Sequence, residues 1–303
     1  MKNRLFFEEN ACKRRLQTGV SRDISLNFIL WVMDRVSNPA DVVPGKLCRR
    51  QKWTNLCAMK DNFSIQAAAY SKFRPTYPPE LIAHIVSLTK AQNIAWDCAT
   101  GNGQIAVQLS PYFKEIYATD ISEKQLENAT REPNIFYKKE RAEKTNFPAS
   151  YFDLITVGQA VHWFDFQLFN EEVRRVLKPG GIIALIGYGV FKSSPEIEKI
   201  CGHFYHEIIG SYWDPERRYI DEAYRTIPFP FEEIFLPKYE MKYAWTLEEL
   251  IGYLNTWSAV QHYIKMHGEN PVEWVEKELR KVWHGEKVEV IFPLLTRIGI
   301  GDW

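Results

Sequence analysis

The chain has no net charge: its 303 residues carry 38 Lys+Arg against 38 Asp+Glu. That balance weighs against a dedicated nucleic-acid binder, which depends on a basic excess. Its five cysteines (Cys12, Cys48, Cys57, Cys98, Cys201) form no CxxC pair and no metal-ligand spacing, so neither a disulfide framework nor a metal site is indicated. An odd, scattered set fits a reducing compartment, with the cytoplasm as the default. No apolar run is long enough to span a bilayer, and no membrane partner is expected. The longest run near the start, Phe28 to Met33, is short and flanked by both charge signs, which argues against a signal peptide. Repeats and low-complexity tracts are missing as well. What remains, 46% hydrophobic and 25% charged, is the composition of an ordinary soluble globular protein.

Residues 1–58 differ from the rest. They carry 11 Lys+Arg against 5 Asp+Glu, hold three of the five cysteines, and show no sustained helical or strand period. We expect them to be an N-terminal extension outside the fold, with the domain opening at Met59; the rival reading is a basic arm for nucleic acid or an anionic surface. From Met59 the pattern alternates. Pro79 to Leu88 reads as an amphipathic helix, Ile94 to Asp97 as a strand, and Gly103 to Leu109 as a helix. Strand Glu115 to Thr119 precedes helix Glu123 to Ala129, with Ser122 as its N-cap. Strands Ile135 to Lys138 and Phe152 to Val157 follow, then helix Phe166 to Val176, a stop at Lys178-Pro179-Gly180-Gly181, and strand Ile182 to Ile186. Such alternation implies an α/β fold with a doubly wound, Rossmann-like, mostly parallel sheet flanked by helices. The expected division within 59–303 is a lid and helix (59–90), a cofactor-binding core (91–187) and a helical, aromatic cover carrying the remaining strands (188–303).

The chemistry concentrates in Ala95-Trp96-Asp97-Cys98-Ala99-Thr100-Gly101-Asn102-Gly103-Gln104, followed by Asp120. It reads as a buried strand, a glycine turn opening a helix, and a second strand ending in a carboxylate placed for ribose hydroxyls. Gly101 and Gly103 let the backbone approach a ligand without a Cβ in the way. Taken alone, Gly101-x-Gly103-x-x-Ala106 also satisfies the relaxed dinucleotide pattern. Asp97 tips the balance, because a buried carboxylate needs a cationic or donor-rich partner. S-adenosylmethionine (SAM) offers an ammonium and a sulfonium there, whereas a pyrophosphate would be repelled.

With the Leu177-Lys178-Pro179-Gly180-Gly181 turn, these residues resemble the class I SAM-dependent methyltransferases (type 11 methyltransferase domain) from about Asn62 to Ile186. Ala99 departs from the pattern, standing where the family places its first glycine. Phe63-Ser64, Ala69-Tyr70, Phe73-Arg74-Pro75-x-Tyr77-Pro78 and Gln159-Ala160-x-His162-Trp163-Phe164-Asp165 resemble the branch containing trans-aconitate methyltransferases. The resemblance implies that Tyr70 and Arg74 close over the cofactor, Arg74 pairing with its carboxylate through a bidentate fork. It implies Ala142 and Glu143 at the adenine, and a cofactor set completed by Asp97, Ala99, Thr100, Gly101, Gly103, Gln104, Asp120 and Ile121. Gln159, His162 and Trp163 would lie beside the transferred methyl, and the acceptor would be a small molecule, with carboxylic acids the first candidates. Tyr219-Ile220-Asp221 and Thr256-Trp257-Ser258-Ala259-Val260-Gln261 resemble segments covering the active site, where Arg217 or Arg218 would bind a small carboxylate.

Methyl transfer is an in-line displacement that depends on alignment and exclusion of water. A carboxylate acceptor needs no general base; a phenol or amine does, and His162 is then the nearest candidate. Three other readings stand beside this one. A NAD(P)-dependent Rossmann oxidoreductase is disfavoured by Asp97 and the Lys178-Pro179-Gly180-Gly181 turn. A nucleic-acid methyltransferase is disfavoured by neutral charge and by Gly158-Gln159-Ala160-Val161, which is not an Asn/Asp-Pro-Pro-Tyr/Phe motif. A non-catalytic SAM-binding module is disfavoured by the lid residues. Oligomeric state is not legible.

Overall fold

The computed structural model describes residues 73–303; the expected N-terminal extension, the boundary at Met59 and the lid residue Tyr70 lie outside the described residues. The first helix, α1 (Pro79–Ser87), starts on a proline whose fixed φ suits a first helical turn, and it buries Leu81, Ile82, Ile85 and Val86 on one face. Five parallel strands follow: β1 (Ile94–Cys98), β2 (Glu115–Asp120), β3 (Ile135–Lys139), β4 (Phe152–Gly158) and β5 (Leu177–Tyr188). Between them run α2 (Gln104–Leu109), α3 (Glu123–Glu127) and α4 (Phe166–Val176). The Ser122 side chain accepts from the Gln125 amide at the start of α3, and Asp165 accepts from Leu168 at the start of α4, so each helix begins on a residue that satisfies an otherwise orphaned N–H.

The rest of the chain forms α5 (Pro195–His203), α6 (Arg218–Asp221), β6 (Glu232–Ile234), β7 (Glu240–Trp245), α7 (Leu247–Asn255), α8 (Ser258–His267), α9 (Val272–Val282) and β8 (Val288–Ile300). The sheet order is β3-β2-β1-β4-β5-β8-β6, with β7 paired to β8 off this path. β8 is antiparallel to its partners, its later half pairing with β5 and β6 and its earlier half with β7. Alternate residues of the central strands enter opposite apolar layers. Ala95, Leu154, Ile182 and Ala184 face one, while Trp96, Ile155, Ile183 and Leu185 face the other. Both faces are therefore covered, as a parallel sheet requires. Strand order reverses between β1 and β4, and the crevice at their carboxyl ends is the place where such sheets bind ligands.

One local expectation is corrected. Lys178-Pro179-Gly180-Gly181 is not a turn that precedes the strand; β5 already starts at Leu177, opposite Phe152. Pairing resumes at Ile182 opposite Leu154, so the extra residues form an irregularity within the strand. Proline cannot donate to a ladder and Gly180 adopts φ +73°, which together produce a bulge rather than a break. No helix among the described residues is long and apolar enough to cross a membrane.

Candidate active site

The turn after β1 is built from left-handed residues: Ala99 (φ +53°), Gly101 (φ +57°) and Gly103 (φ +87°). The two glycines adopt this conformation freely, whereas Ala99 holds it against a steric penalty of about 1 kcal/mol. A Cβ on Gly103 would come within 2.2 Å of the Tyr137 hydroxyl, so that position has no room for a side chain.

Asp97, 1% exposed at the end of β1, has a donor-rich environment supplied by the chain itself. The Thr100 hydroxyl donates to Oδ2 at 2.5 Å, the Thr156 hydroxyl to Oδ1 at 2.8 Å, and the Ala106 amide to Oδ2 at 3.1 Å. Burial nevertheless pushes its carboxyl up to about 6, those donors pulling the other way. Of the cationic or donor-rich partner that the sequence argument asks for, the chain supplies the donors, and a ligand's ammonium would add to three existing hydrogen bonds.

Asp120 is likewise engaged, accepting from the Gly101 amide at 2.9 Å and the Ser122 amide at 2.8 Å. These bonds pin the glycine turn to the end of β2, and a carboxylate with about four lone-pair sites keeps capacity for ribose hydroxyls. Ile121 follows it, half-buried. Ala142 is buried, and Glu143 accepts from the Asp165 amide at 3.3 Å while lying 3.3 Å from Arg141 Nε. Of the residues expected at the cofactor, Gly103, Asp120, Ile121, Ala142 and Glu143 do not line the cleft above the glycine turn.

That cleft has about 500 Å³ of open space and is lined at the turn by Asp97, Ala99, Thr100, Gly101, Asn102 and Gln104. Tyr77, Ile105 and Gly158 form more of its wall; a Cβ on Gly158 would meet Ile105 Cδ1 at 2.6 Å. Arg74 closes one side. Its Nη1 donates to the Tyr188 hydroxyl and its Nη2 to the Thr256 carbonyl, each at 3.0 Å. A guanidinium, a buried carboxylate and a cradle free of side chains suit a nucleoside bearing an amino acid.

A second cavity adjoins the first, Arg74 and Gln159 lining both. Gln159 has φ +53°, and its amide is spent on β5: Oε1 accepts from the Tyr188 amide at 2.8 Å and Nε2 donates to the Tyr188 carbonyl at 3.2 Å. His162 and Trp163, on the 3-10 turn Val161–Trp163, face this second cavity. His162 is 4% exposed, and its Nδ1 has no hydrogen-bond partner among the described residues. Burial lowers its pKa to about 3, with the charges of Arg217 and Arg74 adding to the effect. An imidazole so reluctant to take a proton is poorly suited to the role of general base.

The far wall contains Trp213, Asp214, Arg217, Ile220, Trp257 and Ser258. Of the two arginines expected there, Arg217 lies in the cavity, while Arg218 is exposed and donates to the Tyr219 hydroxyl at 2.9 Å. Sequence reasoning missed Asn102, Ile105, Gly158 and Asp214 as lining residues. The first three adjoin recognised motifs, but Asp214 stands in an irregular segment with no pattern to single it out.

Comparison with known proteins finds methyltransferases. The model of the methyltransferase domain family matches residues 96–185. A protein named as a methyltransferase in Dictyostelium discoideum is 33% identical over 243 residues, covering 77% of this chain and 92% of its own length. An uncharacterized methyltransferase of Schizosaccharomyces pombe is 25% identical over 245 residues, covering 77% of this chain and 94% of its own. A solved structure, named as a type II methyltransferase from Anaeromyxobacter dehalogenans, is 34% identical with a TM-score of 0.70, covering 76% of this chain and 99% of that one.

Proposed function

Because the chain belongs to the SAM-dependent methyltransferases, we propose that it moves the methyl group of SAM to an oxygen already ionised on arrival, the carboxylate of a small acid. When bound, SAM supplies a methyl on cationic sulfur, which departs with the bonding pair while the acceptor oxygen provides the pair of the new bond. Asp97, Thr100, Gly101, Gly103, Gln104, Asp120 and Arg74 are the residues we assign to holding it, with Ala99 shaping the turn. Tyr70, Ile121, Ala142 and Glu143 complete the proposed set on the strength of the sequence resemblance.

The observation that carries the acceptor class is His162. It lines the second cavity, 4% exposed and with Nδ1 unpartnered among the described residues, and burial lowering its pKa to about 3 disfavours drawing a proton from a phenol or an ammonium at neutral pH. A carboxylate needs no such help. Arg74, at the shared wall, favours an anion and opposes a cationic amine. The lid and the motif after β4 support a place near the trans-aconitate branch. The buried thiols of Cys98 and Cys201 support a reducing, cytoplasmic setting. The methyltransferase domain is assigned to 59–303, with 1–58 as an extension. Transfer of labelled methyl from SAM to a panel of carboxylic acids, phenols and amines tests this reading. The expected products are esters whose label is released as methanol by mild base; label fixed on phenols or amines would overturn it.

A further inference from the structure

The acceptor cavity is chemically lopsided. Its cations are Arg74 and Arg217, which line the same cavity and both disfavour the charged form of the same buried imidazole. Arg217 is built to hold a small anion. Its Nε donates to the Tyr205 hydroxyl at 2.8 Å and lies 3.6 Å from Asp221 Oδ1, its guanidinium lies 4.7 Å from the Trp213 ring centroid, and its side chain is 14% exposed. The terminal nitrogens make no hydrogen bond to described residues, which leaves the bidentate edge of the fork available. The rest of the wall is aromatic: Trp163, Trp213 and Trp257 line it, the last two with ring centroids 5.5 Å apart. The acidic residue in the wall is Asp214, 8% exposed.

We propose that the acceptor is a flat, apolar monocarboxylate, its one carboxylate seated on the fork of Arg217 and its carbon skeleton against the three indoles, and that Asp214 disfavours acids with further carboxylates. The proposal rests on the ionised-oxygen reading above and deepens it. A second carboxylate pushed among indoles would lose its hydration without gaining a cation, and it would meet the charge of Asp214. A conjugated skeleton instead gains from stacking on aromatic faces.

Trans-cinnamate and trans-aconitate make a matched test, since both are unsaturated acids and only the second carries additional carboxylates. Calorimetric binding of each to the full chain loaded with S-adenosylhomocysteine is measured alongside initial rates. We expect trans-cinnamate to bind and to exceed trans-aconitate about tenfold in kcat/KM. Arg217→Lys, which keeps charge but loses the fork, should raise the KM and calorimetric Kd for cinnamate about tenfold with little change in kcat. Asp214→Asn should shift the preference toward trans-aconitate about fivefold. Thermal melts of both variants verify folding, and the substrate ratio is a readout that general destabilisation does not move. Equal or better use of trans-aconitate by the natural chain, or an unchanged cinnamate Kd in Arg217→Lys, overturns the proposal while leaving the carboxylate reading intact. Methylation of phenols with neither acid bound removes the carboxylate reading, and this proposal with it.

Discussion

Asp97 and His162 are buried acids and bases shifted in opposite directions relative to the charged state they would hold in water, and both resist charge. For Asp97 the folded pKa of about 6 lies above the unfolded value of 3.8. The folded state therefore holds its proton longer, and stability is lost as pH rises from 4 to 6, by about 3 kcal/mol for this group. Urea denaturation of the natural chain and of Asp97→Asn at pH 4 and pH 7 should show the variant gaining relative to the natural chain by that amount across the interval. For His162 the folded value of about 3 lies below the unfolded 6.5. Here the unfolded state takes the proton first, so stability is lost as pH falls below 6.5 toward 3. His162→Gln should move the acid-unfolding midpoint, followed by circular dichroism, to lower pH. The same substitution should leave the pH–rate profile near neutrality unchanged, since His162 does not titrate there.

At the scale of elements, the adjoining ends of β4 and β5 are clamped by a side chain in place of a ladder rung. Gln159 completes a two-bond exchange with the Tyr188 main chain, and its own amide donates to the Ile186 carbonyl at 2.7 Å. Gln159→Ala should cost about 1–3 kcal/mol by leaving the Tyr188 main-chain groups unpaired, read as a lower urea midpoint. Because Tyr188 also receives Arg74, the KM for the acceptor should rise in the same variant. The central strands were legible in the sequence because both faces are buried and each run is short and bounded by turn residues; α4 was read with its observed limits, Phe166 and Val176. The irregularity in β5 was misread because Pro179 and Gly180 signal a turn whether or not pairing continues around them. β8 was harder still. Val288–Ile300 changes partners midway, carries Pro293 and Gly299, and owes its pairing to β7, β5 and β6 at long range, which no local period reports. In the site, the glycine turn was legible because backbone geometry dictates residue type. The commitments of Asp97 and Gln159 to the chain's own groups were not, because they depend on Thr156 and Tyr188, distant in sequence.

At the scale of the described domain, the antiparallel strands and the acceptor cavity are coupled through Arg297. Its guanidinium meets Glu233 on β6 in a two-pronged pair, Nε to Oε1 and Nη2 to Oε2 both at 2.8 Å. Nη1 also donates to the Tyr224 and Ile227 carbonyls at 3.3 and 2.8 Å. Tyr224 stacks on His162 with centroids 6.3 Å apart. Arg297→Leu leaves the partly buried Glu233 carboxylate without its guanidinium and removes a donor from the Ile227 carbonyl, a loss of about 3 kcal/mol. For a domain of this size that corresponds to a drop in Tm of about 6–12 °C, measurable by scanning calorimetry. The KM for the acceptor should rise in the same variant, since the turn supporting His162 loses its anchor.

Arg74, common to both cavities and tethered to Tyr188 and Thr256, has a consequence for the order in which ligands are felt. One guanidinium cannot settle against a molecule on one side without changing the field offered to the other. Any factor by which cofactor occupancy strengthens acceptor binding must, by thermodynamic reciprocity, be returned by the acceptor to the cofactor. The protein then responds to the pair of concentrations jointly: a cell poor in one ligand would find its affinity for the other altered as well.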